Sequence, residues 1–251
     1  MDLSAFQNSL FLQALGGALL NSVWQACILW ILFETISLFF KRASSRFRFN
    51  MSFLFLMLGF FWFLKDLLQF DHPGNASYQR AAFSSSGSHG TQMAFTSWHT
   101  LLGYLKPGLP FLSFAYMLLL FLLSIKLVAS YFHVYQVARR GLIPPPSNLE
   151  VFMHQVSRQM KLVRTAKLWI SQLIDVPATI GFFKPVILIP VASLNHLSTD
   201  QLEAIIIHEL AHIKRYDYLV NILITIIETI LFFNPFIALL IRTSRKEREN
   251  C

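Results

Sequence analysis

Long apolar runs constrain this chain more than any other feature of its sequence. The stretch Leu19–Phe40 is 22 residues long, and Glu34 is its one charged residue. About 20 apolar helical residues are enough to cross the hydrocarbon core of a bilayer. Two further apolar stretches follow it. The sequence therefore predicts three transmembrane spans, at about 19–40, 51–70 and 110–128, with the lipid bilayer as a partner.

The composition and charge pattern agree with a membrane protein. Of the 251 residues, 55% are hydrophobic and 14% are charged, whereas about a quarter of the residues in a soluble domain are charged. The net charge is +8, but the basic residues lie in blocks beside the apolar runs. That arrangement is typical of membrane topology signals, so we expect no direct binding to nucleic acid. The two cysteines, Cys27 and Cys251, indicate neither a disulfide framework nor a thiolate metal site.

The basic blocks predict the orientation of the chain in the membrane. Lysine and arginine are concentrated at 41–48 and again at 126–184, and short loops rich in these residues stay on the cytoplasmic side. The loop 71–106 is then external. The chain is thus divided into a transmembrane region, residues 1–130, and a cytoplasmic domain, residues 131–251. Because the N-terminus lacks the basic region of a cleaved signal peptide, the first span is expected to remain as an anchor.

The segment after the third span has the pattern of a folded domain. Three consecutive prolines within 141–150 indicate a linker, and apolar spacing at 149–160 predicts a helix. The stretches "KLWISQLI" (167–174) and "PVILIP" (185–190) predict two short strands. For the "VILIP" strand two roles stay open. Its edge either binds an extended substrate peptide or pairs inside a sheet.

The most specific motif lies on a helix predicted to begin near Thr199, where Ser198 and Gln201 form a capping-box pattern. This helix carries "HELAH", with His208 and His212 four residues apart. Residues at i and i+4 project from one face of a helix, so the two imidazoles are able to share one zinc ion.

Glu209, the second residue of this motif, follows His208 directly. It is rotated from His208 by about 100° around the helix, so it reaches a zinc-bound water without being a ligand. The pattern is that of the zinc-peptidase signature, in which the metal lowers the pKa of a water molecule and the glutamate is the general base.

The chain resembles the BlaR/MecR-type membrane metallopeptidases, the beta-lactam sensor-transducers and their relatives, in detail over residues 110–251. Several elements in the same order carry the resemblance: Gly181, Lys184-Pro185-Val186, Leu202, His208-Glu209-Leu210 with His212, Arg215 with Asp217, Asn234-Pro235-Phe236, and the charged segment Arg245 to Glu249. The resemblance implies a mainly α-helical, multi-pass protein of the bacterial inner membrane. Its transmembrane helices would be joined to a cytoplasmic gluzincin-type zinc domain with a small β-sheet.

In that family the zinc domain acts in signal transduction. The resemblance therefore implies a Zn²⁺-dependent endopeptidase whose substrate is a protein, either the chain itself or a cytoplasmic repressor-like regulator, in a pathway such as antibiotic sensing. A homodimer is kept as a candidate assembly. Two alternatives remain: a non-catalytic signal transducer with a structural zinc site, and a protease that cuts within the bilayer. The second is disfavoured because the sequence contains no Asp-Gly dipeptide to supply the later ligand of such enzymes.

A gluzincin takes its third zinc ligand from a glutamate on a later helix. Glu228, Glu247 and Glu249 follow the motif, and on a helix the last two face about 200° apart. The resemblance implies Glu249, as the first residue of an E-x-x-x-D pattern whose aspartate would fall beyond the end of the chain. It thus implies a truncated chain without a last span or a C-terminal sensor domain. For Glu247 we expect a solvated charge.

The position of Glu249 depends on the path of the preceding apolar stretch, Tyr218–Ile241. Its 24 residues contain one charge, Glu228, and would be long enough to cross the membrane as one helix. Asn234-Pro235 interrupts the stretch, and the residue before a proline disfavours helical geometry. We therefore predict two half-helices in a membrane-dipping hairpin, 218–249. For Asp217, orientation of a zinc ligand and an ion pair with Arg215 both remain open.

Overall fold

The structure, a computed structural model, is mainly helical with one small sheet, and it describes residues 9–40, 43–69, 108–137, 140–162, 164–181 and 184–250. The predicted external loop 71–106 lies outside these residues. The helices are α1 (Leu10–Phe39), α2 (Ser45–Gln69), α3 (Leu109–Val137), α4 (Ser147–Gln159), α5 (Val191–His196), α6 (Thr199–Lys214), α7 (Asp217–Ile230) and α8 (Pro235–Glu249). The strands are β1 (Leu142–Ile143), β2 (Lys167–Ser171), β3 (Ala178–Ile180) and β4 (Val186–Pro190).

Three of the described helices are long and apolar enough to cross a membrane: Phe11–Phe39, Ser45–Leu68 and Leu109–Gln136. The prediction of three helices that can span a membrane is therefore confirmed in terms of their length and composition. The helices are longer than the predicted spans, since α1 begins at Leu10 rather than near 19 and α3 continues to Val137 rather than 128. The reason is that the bilayer limits the apolar part of a helix, about 20 residues, but not the helix itself.

The chain forms two compact units, each described by itself. The first consists of residues 1–122 together with 227–251, and the second of residues 123–226. The helices α3 and α7 contribute residues to both.

In the first unit, α1 and α2 pack as an antiparallel pair. The rings of Phe33 and Phe55 lie 6.0 Å apart, and Gln25 Nε2 donates a hydrogen bond of 2.7 Å to Asp66. The residue numbers at these contacts increase along α1 while they decrease along α2. The two helices therefore run in opposite directions.

Helix α8 packs on both α1 and α2 through one face. Its buried residues recur at helical spacing: Ile237, Leu240, Ile241, Ser244 and Glu247. Near its start, the side chain of Ile237 lies against Gly59 of α2, where an added Cβ would meet it at 3.0 Å. Near its end, Glu247 pairs with Arg48 at the beginning of α2. Helix α8 therefore runs antiparallel to α2.

The apolar stretch Tyr218–Ile241 is divided at Asn234, which is fully buried. The Asn234 side chain accepts hydrogen bonds from the amides of Phe236 and Ile237 and so caps α8. Its Nδ2 donates to the carbonyl of Ser22 in α1 at 2.9 Å.

The chain reverses its direction at this division. Arg245 and Glu228 are joined by an ion pair of 2.6 Å, although 17 residues of straight helix would separate them by about 25 Å. A single straight helix is therefore excluded. The membrane placement of the hairpin remains a prediction.

In the second unit, the four strands form a mixed sheet in the order β1-β2-β4-β3. Strands β2 and β4, which the sequence predicts, pair in parallel from Lys167↔Val186 to Ser171↔Pro190. Because β4 has neighbours on both sides, "VILIP" pairs inside the sheet, and the other role left open for it, a free edge that binds a peptide, is excluded. Strand β3, between the two predicted strands along the chain, lies instead at the border of the sheet in the described residues.

Helices α4 and α6 pack against this sheet. The predicted spacing of α4 is confirmed, since Leu149 and Met153 are buried. The shared core consists of Leu149, Met153, Ala166, Leu168, Ile170, Ile187, Ile189, Leu202, Ile206, Leu210 and Ile213. This core fixes α6, the helix that carries the histidine pair, against the sheet.

Candidate metal centre

Helix α6 begins where the sequence predicts. Ser198 accepts a hydrogen bond from the Gln201 amide, and the Gln201 side chain accepts one from the Ser198 amide, which completes a capping box. Leu202, Ile206, Leu210 and Ile213 bury one side of the helix in the core. His208 is exposed and His212 is half-buried.

The two histidines aim their Nε2 atoms at a common point. His208 Nε2 and His212 Nε2 are 2.9 Å apart. A separation of this length is that of a hydrogen bond in which one of the two nitrogens carries the proton. Tetrahedral zinc with Zn–N bonds of about 2.0–2.1 Å would place them about 3.3 Å apart. The pair therefore fits a zinc ion with a shift of a few tenths of an ångström.

Asp217 holds the other side of the His212 ring. Its Oδ2 lies 2.5 Å from His212 Nδ1 and 2.9 Å from an Arg215 nitrogen, so the ion pair with Arg215 is present, and the orientation of a zinc ligand remains a prediction that the His212 contact supports. Burial alone raises the pKa of Asp217, but the His212 hydrogen bond and the Arg215 charge outweigh it, and the pKa lies below its ordinary value. A proton on Nδ1 leaves the Nε2 lone pair free for a metal.

A tight turn between α6 and α7 brings Asp217 to this position. Tyr216 takes the left-handed backbone conformation, with φ 61°, which costs a non-glycine residue about 1–2 kcal/mol. The guanidinium of Arg164 lies over its ring, 4.2 Å from the centroid. This cation–π contact offsets part of the strain.

Glu209 lies on the same helix but faces the sheet. It is 8% exposed, and its Oε2 accepts a hydrogen bond of 2.6 Å from Thr179 Oγ1 in β3. Sequence reasoning missed Thr179, because the residue lies 30 positions from Glu209 and the contact depends on the register of the sheet.

The residue that follows β3 has to be a glycine. Gly181 has φ +91°, and a Cβ there would lie 2.9 Å from the Lys184 carbonyl oxygen. Gly141 also has positive φ, +63°, but a Cβ there would meet atoms of Leu173 only at the ordinary distance of 3.5 Å.

We expect Gly181→Ala to destabilise the second unit more than Gly141→Ala does. The Gly141 variant adds only the left-handed conformational cost, about 1–2 kcal/mol, whereas the Gly181 variant adds a clash with backbone. Thermal unfolding of the two variants against the parent measures the difference. Equal losses in the two variants would contradict the clash.

The charged end of α8 differs from expectation at Glu247. This residue is 6% exposed and pairs with Arg48 at 3.3 Å, so the expectation of a solvated charge is wrong. Position 247 continues the buried face of α8, three residues after Ser244. Glu249 is exposed, with 68% of its side chain accessible and Arg248 3.9 Å away.

Among the described residues, no group of three His, Cys, Asp or Glu side chains is gathered in metal-binding geometry. The structure assembles the histidine pair and its supporting contacts within one unit. Glu249 belongs to the other unit, and its assignment as third ligand remains a prediction.

Comparisons with known proteins agree with the sequence resemblance. Residues 51–251 match the model of the family described as BlaR1 peptidase M56. The regulatory protein BlaR1 of Bacillus licheniformis is 29% identical over 96 residues, which are 38% of this chain and 16% of that protein. The methicillin resistance mecR1 protein of Staphylococcus aureus is 35% identical over 65 residues, which are 26% of this chain and 11% of that protein. These alignments therefore cover less than a fifth of the length of either relative.

Proposed function

This chain belongs to the BlaR1 peptidase M56 family, and on that premise we propose that it is a membrane-anchored zinc endopeptidase of a sensory signalling pathway. It would hydrolyse peptide bonds of a protein, either itself or a cytoplasmic repressor-like regulator. Its place would be the bacterial inner membrane, with the zinc domain in the cytoplasm, as the distribution of basic residues predicts.

The observation that carries this proposal is the geometry of the histidine pair. The Nε2 atoms of His208 and His212 are 2.9 Å apart, and Asp217 occupies the opposite nitrogen of His212. A carboxylate on the far side of a histidine ring is the usual support for a metal ligand, because it fixes the tautomer and the ring orientation. Glu249, exposed at the end of α8, is proposed as the third ligand.

His208, His212 and Glu249 would hold the zinc ion, and a zinc ion bound there would supply a water molecule whose pKa is lowered towards neutrality. Glu209 accepts the proton of that water and returns it to the departing amide nitrogen. The hydrogen bond from Thr179 occupies Glu209 Oε2, which leaves Oε1 for proton transfer. Burial of Glu209 limits competition from bulk water for this carboxylate.

We propose that β3 binds the substrate backbone. It is a border strand in the described residues, and a border strand presents amide and carbonyl groups to an extended peptide. Thr179 of β3 contacts Glu209 directly, so a peptide paired along this strand would lie beside the general base. Peptide binding by a strand edge is thus assigned to β3 and not to β4.

The structural features favour this proposal over a protease that cuts within the bilayer. The helix that carries the pair, Thr199–Lys214, is 16 residues long and is not among the three described helices that are apolar enough to span. Its flanks are polar, with Asp200 and Lys214 exposed.

Replacing Glu209 with glutamine tests the proposal against a non-catalytic transducer. Glu209→Gln keeps the shape of the side chain but removes the base, so peptide hydrolysis should fall by at least about 10²-fold while zinc binding persists. Self-cleavage and hydrolysis of labelled casein measure the rate, and competition with a chromophoric chelator measures zinc affinity. Glu203→Gln, on the same helix, is the control and should keep the parent rate. If Glu209→Gln is as active as the parent, the protein is not this kind of peptidase.

A further inference from the structure

The hydroxyl group of Thr179 lies on the face of the sheet that packs on the core, at a half-buried position of β3. Thr179 is paired with Ile187 across an antiparallel ladder, and residues directly opposite each other have side chains on the same face. Ile187 belongs to the core beneath α6, together with Ile206 and Leu210. A valine would fill the volume of Thr179 and suit a strand equally well, so the hydroxyl is the feature that needs a reason.

The contact with Glu209 supplies that reason. Thr179 Oγ1 donates to Glu209 Oε2 at 2.6 Å, in the short range of a hydroxyl donating to a carboxylate. Glu209 is 8% exposed, so a hydrogen bond from the protein replaces most of the water that an exposed carboxylate would have. A carboxylate held by one oxygen cannot rotate freely, and its other oxygen keeps one direction.

The position of the donor is itself fixed by the backbone. Two residues after Thr179, Gly181 turns the chain with φ +91°, and three pairs from Ala178↔Leu188 to Ile180↔Val186 set the register of β3 against β4. A shift of one residue would place the Thr179 side chain on the other face of the sheet.

We propose that Thr179 is a positioning residue for the general base: it holds Glu209 so that Oε1 would face the water that a bound zinc ion would activate for attack on the peptide carbonyl. The inference rests on the proposed function, and it adds that the border strand β3 sets the orientation of the base. Its geometry lies entirely within the second unit.

The experiment compares Thr179→Val, which removes the hydroxyl but keeps the branched shape, with Thr179→Ser, which keeps the hydroxyl. Both variants are prepared in lipid nanodiscs beside the parent and Glu209→Gln. For labelled casein, Thr179→Val should lower kcat about ten-fold with KM and zinc affinity within two-fold of the parent. Thr179→Ser should stay within about three-fold of the parent. A misplaced catalytic group is enough to account for a loss of this size.

The Co²⁺-substituted chain gives a second measurement that needs no turnover. Its visible absorption reports the surroundings of the metal, and the bands should change in Thr179→Val in the same direction as in Glu209→Gln, but not in Thr179→Ser. An unchanged spectrum with an unchanged kcat overturns the inference, and so does a loss of metal affinity parallel to the loss of activity. If the parent is no more active than Glu209→Gln, the proposed function is wrong. The Co²⁺ spectra then still decide whether Thr179 orients Glu209.

Discussion

Replacing either His208 or His212 with alanine is expected to lower zinc affinity by several orders of magnitude and, with it, peptide hydrolysis. Structural zinc in small domains is bound with about 10–16 kcal/mol, so the loss of one ligand among three or four removes roughly 3–5 kcal/mol. That corresponds to a fall in affinity of about 10²–10⁴-fold. Metal analysis of the purified variants and chelator competition measure it.

Two further variants make this result specific. His196→Ala changes an exposed histidine at the end of α5 and should leave zinc affinity unchanged. Asp217→Asn removes the charge that supports His212 without removing a ligand, and should weaken zinc binding by about 10–100-fold. Full zinc occupancy in His208→Ala or His212→Ala would show that the pair is not the metal site.

The parts of this site that could be read from the sequence are those encoded over short distances. The pairing of His208 with His212 follows from helical periodicity, and the capping box at Ser198 follows from four adjacent residues. Asn234-Pro235 marks the break before α8 because the restriction that proline imposes is local. In each case the residues that interact are neighbours along one helix or turn.

The parts that could not be read depend on which elements meet in three dimensions. Strand β3 is three residues long, and Pro177 and Gly181 on either side gave its segment the pattern of a connection. The contact of Thr179 with Glu209 requires the register of that strand. Likewise, charge spacing at the end of α8 shows that Glu247 and Glu249 face opposite ways, but not which of them meets a cation from α2.

The ion pair between Arg48 and Glu247 is expected to contribute more to stability than the more exposed pair between Arg245 and Glu228 in the same unit. Glu247 has 7% of its side chain exposed and Arg48 has 37%. Arg48→Met would remove this cation from a buried carboxylate at the face where α8 packs on α1 and α2. Breaking a fully buried pair costs about 3–5 kcal/mol; because Arg48 is partly exposed, we expect about 2–3 kcal/mol.

Because the two partners are buried to different degrees, the variants should fall in a definite order of stability. Glu247→Gln should cost less than Arg48→Met, because the arginine that it leaves behind reaches water and the carboxylate does not. The double variant Arg48→Met with Glu247→Met should recover much of the loss, since an apolar pair of similar volume often replaces a buried ion pair without penalty. Arg46→Met, at an exposed position in the same turn of α2, is the matched control and should be near neutral.

Thermal unfolding in nanodiscs measures this order, with a fall in Tm of about 5–10 °C for Arg48→Met.

The same variants bear on the candidate metal site. Glu247 and Glu249 face about 200° apart on α8, so the ion pair that buries Glu247 also keeps Glu249 turned outwards. If Glu249 is the third ligand, Arg48→Met should lower zinc affinity although Arg48 is no ligand, and the double variant should restore part of it. A stability loss in Arg48→Met with unchanged zinc affinity would show that the packing of α8 and metal binding are independent.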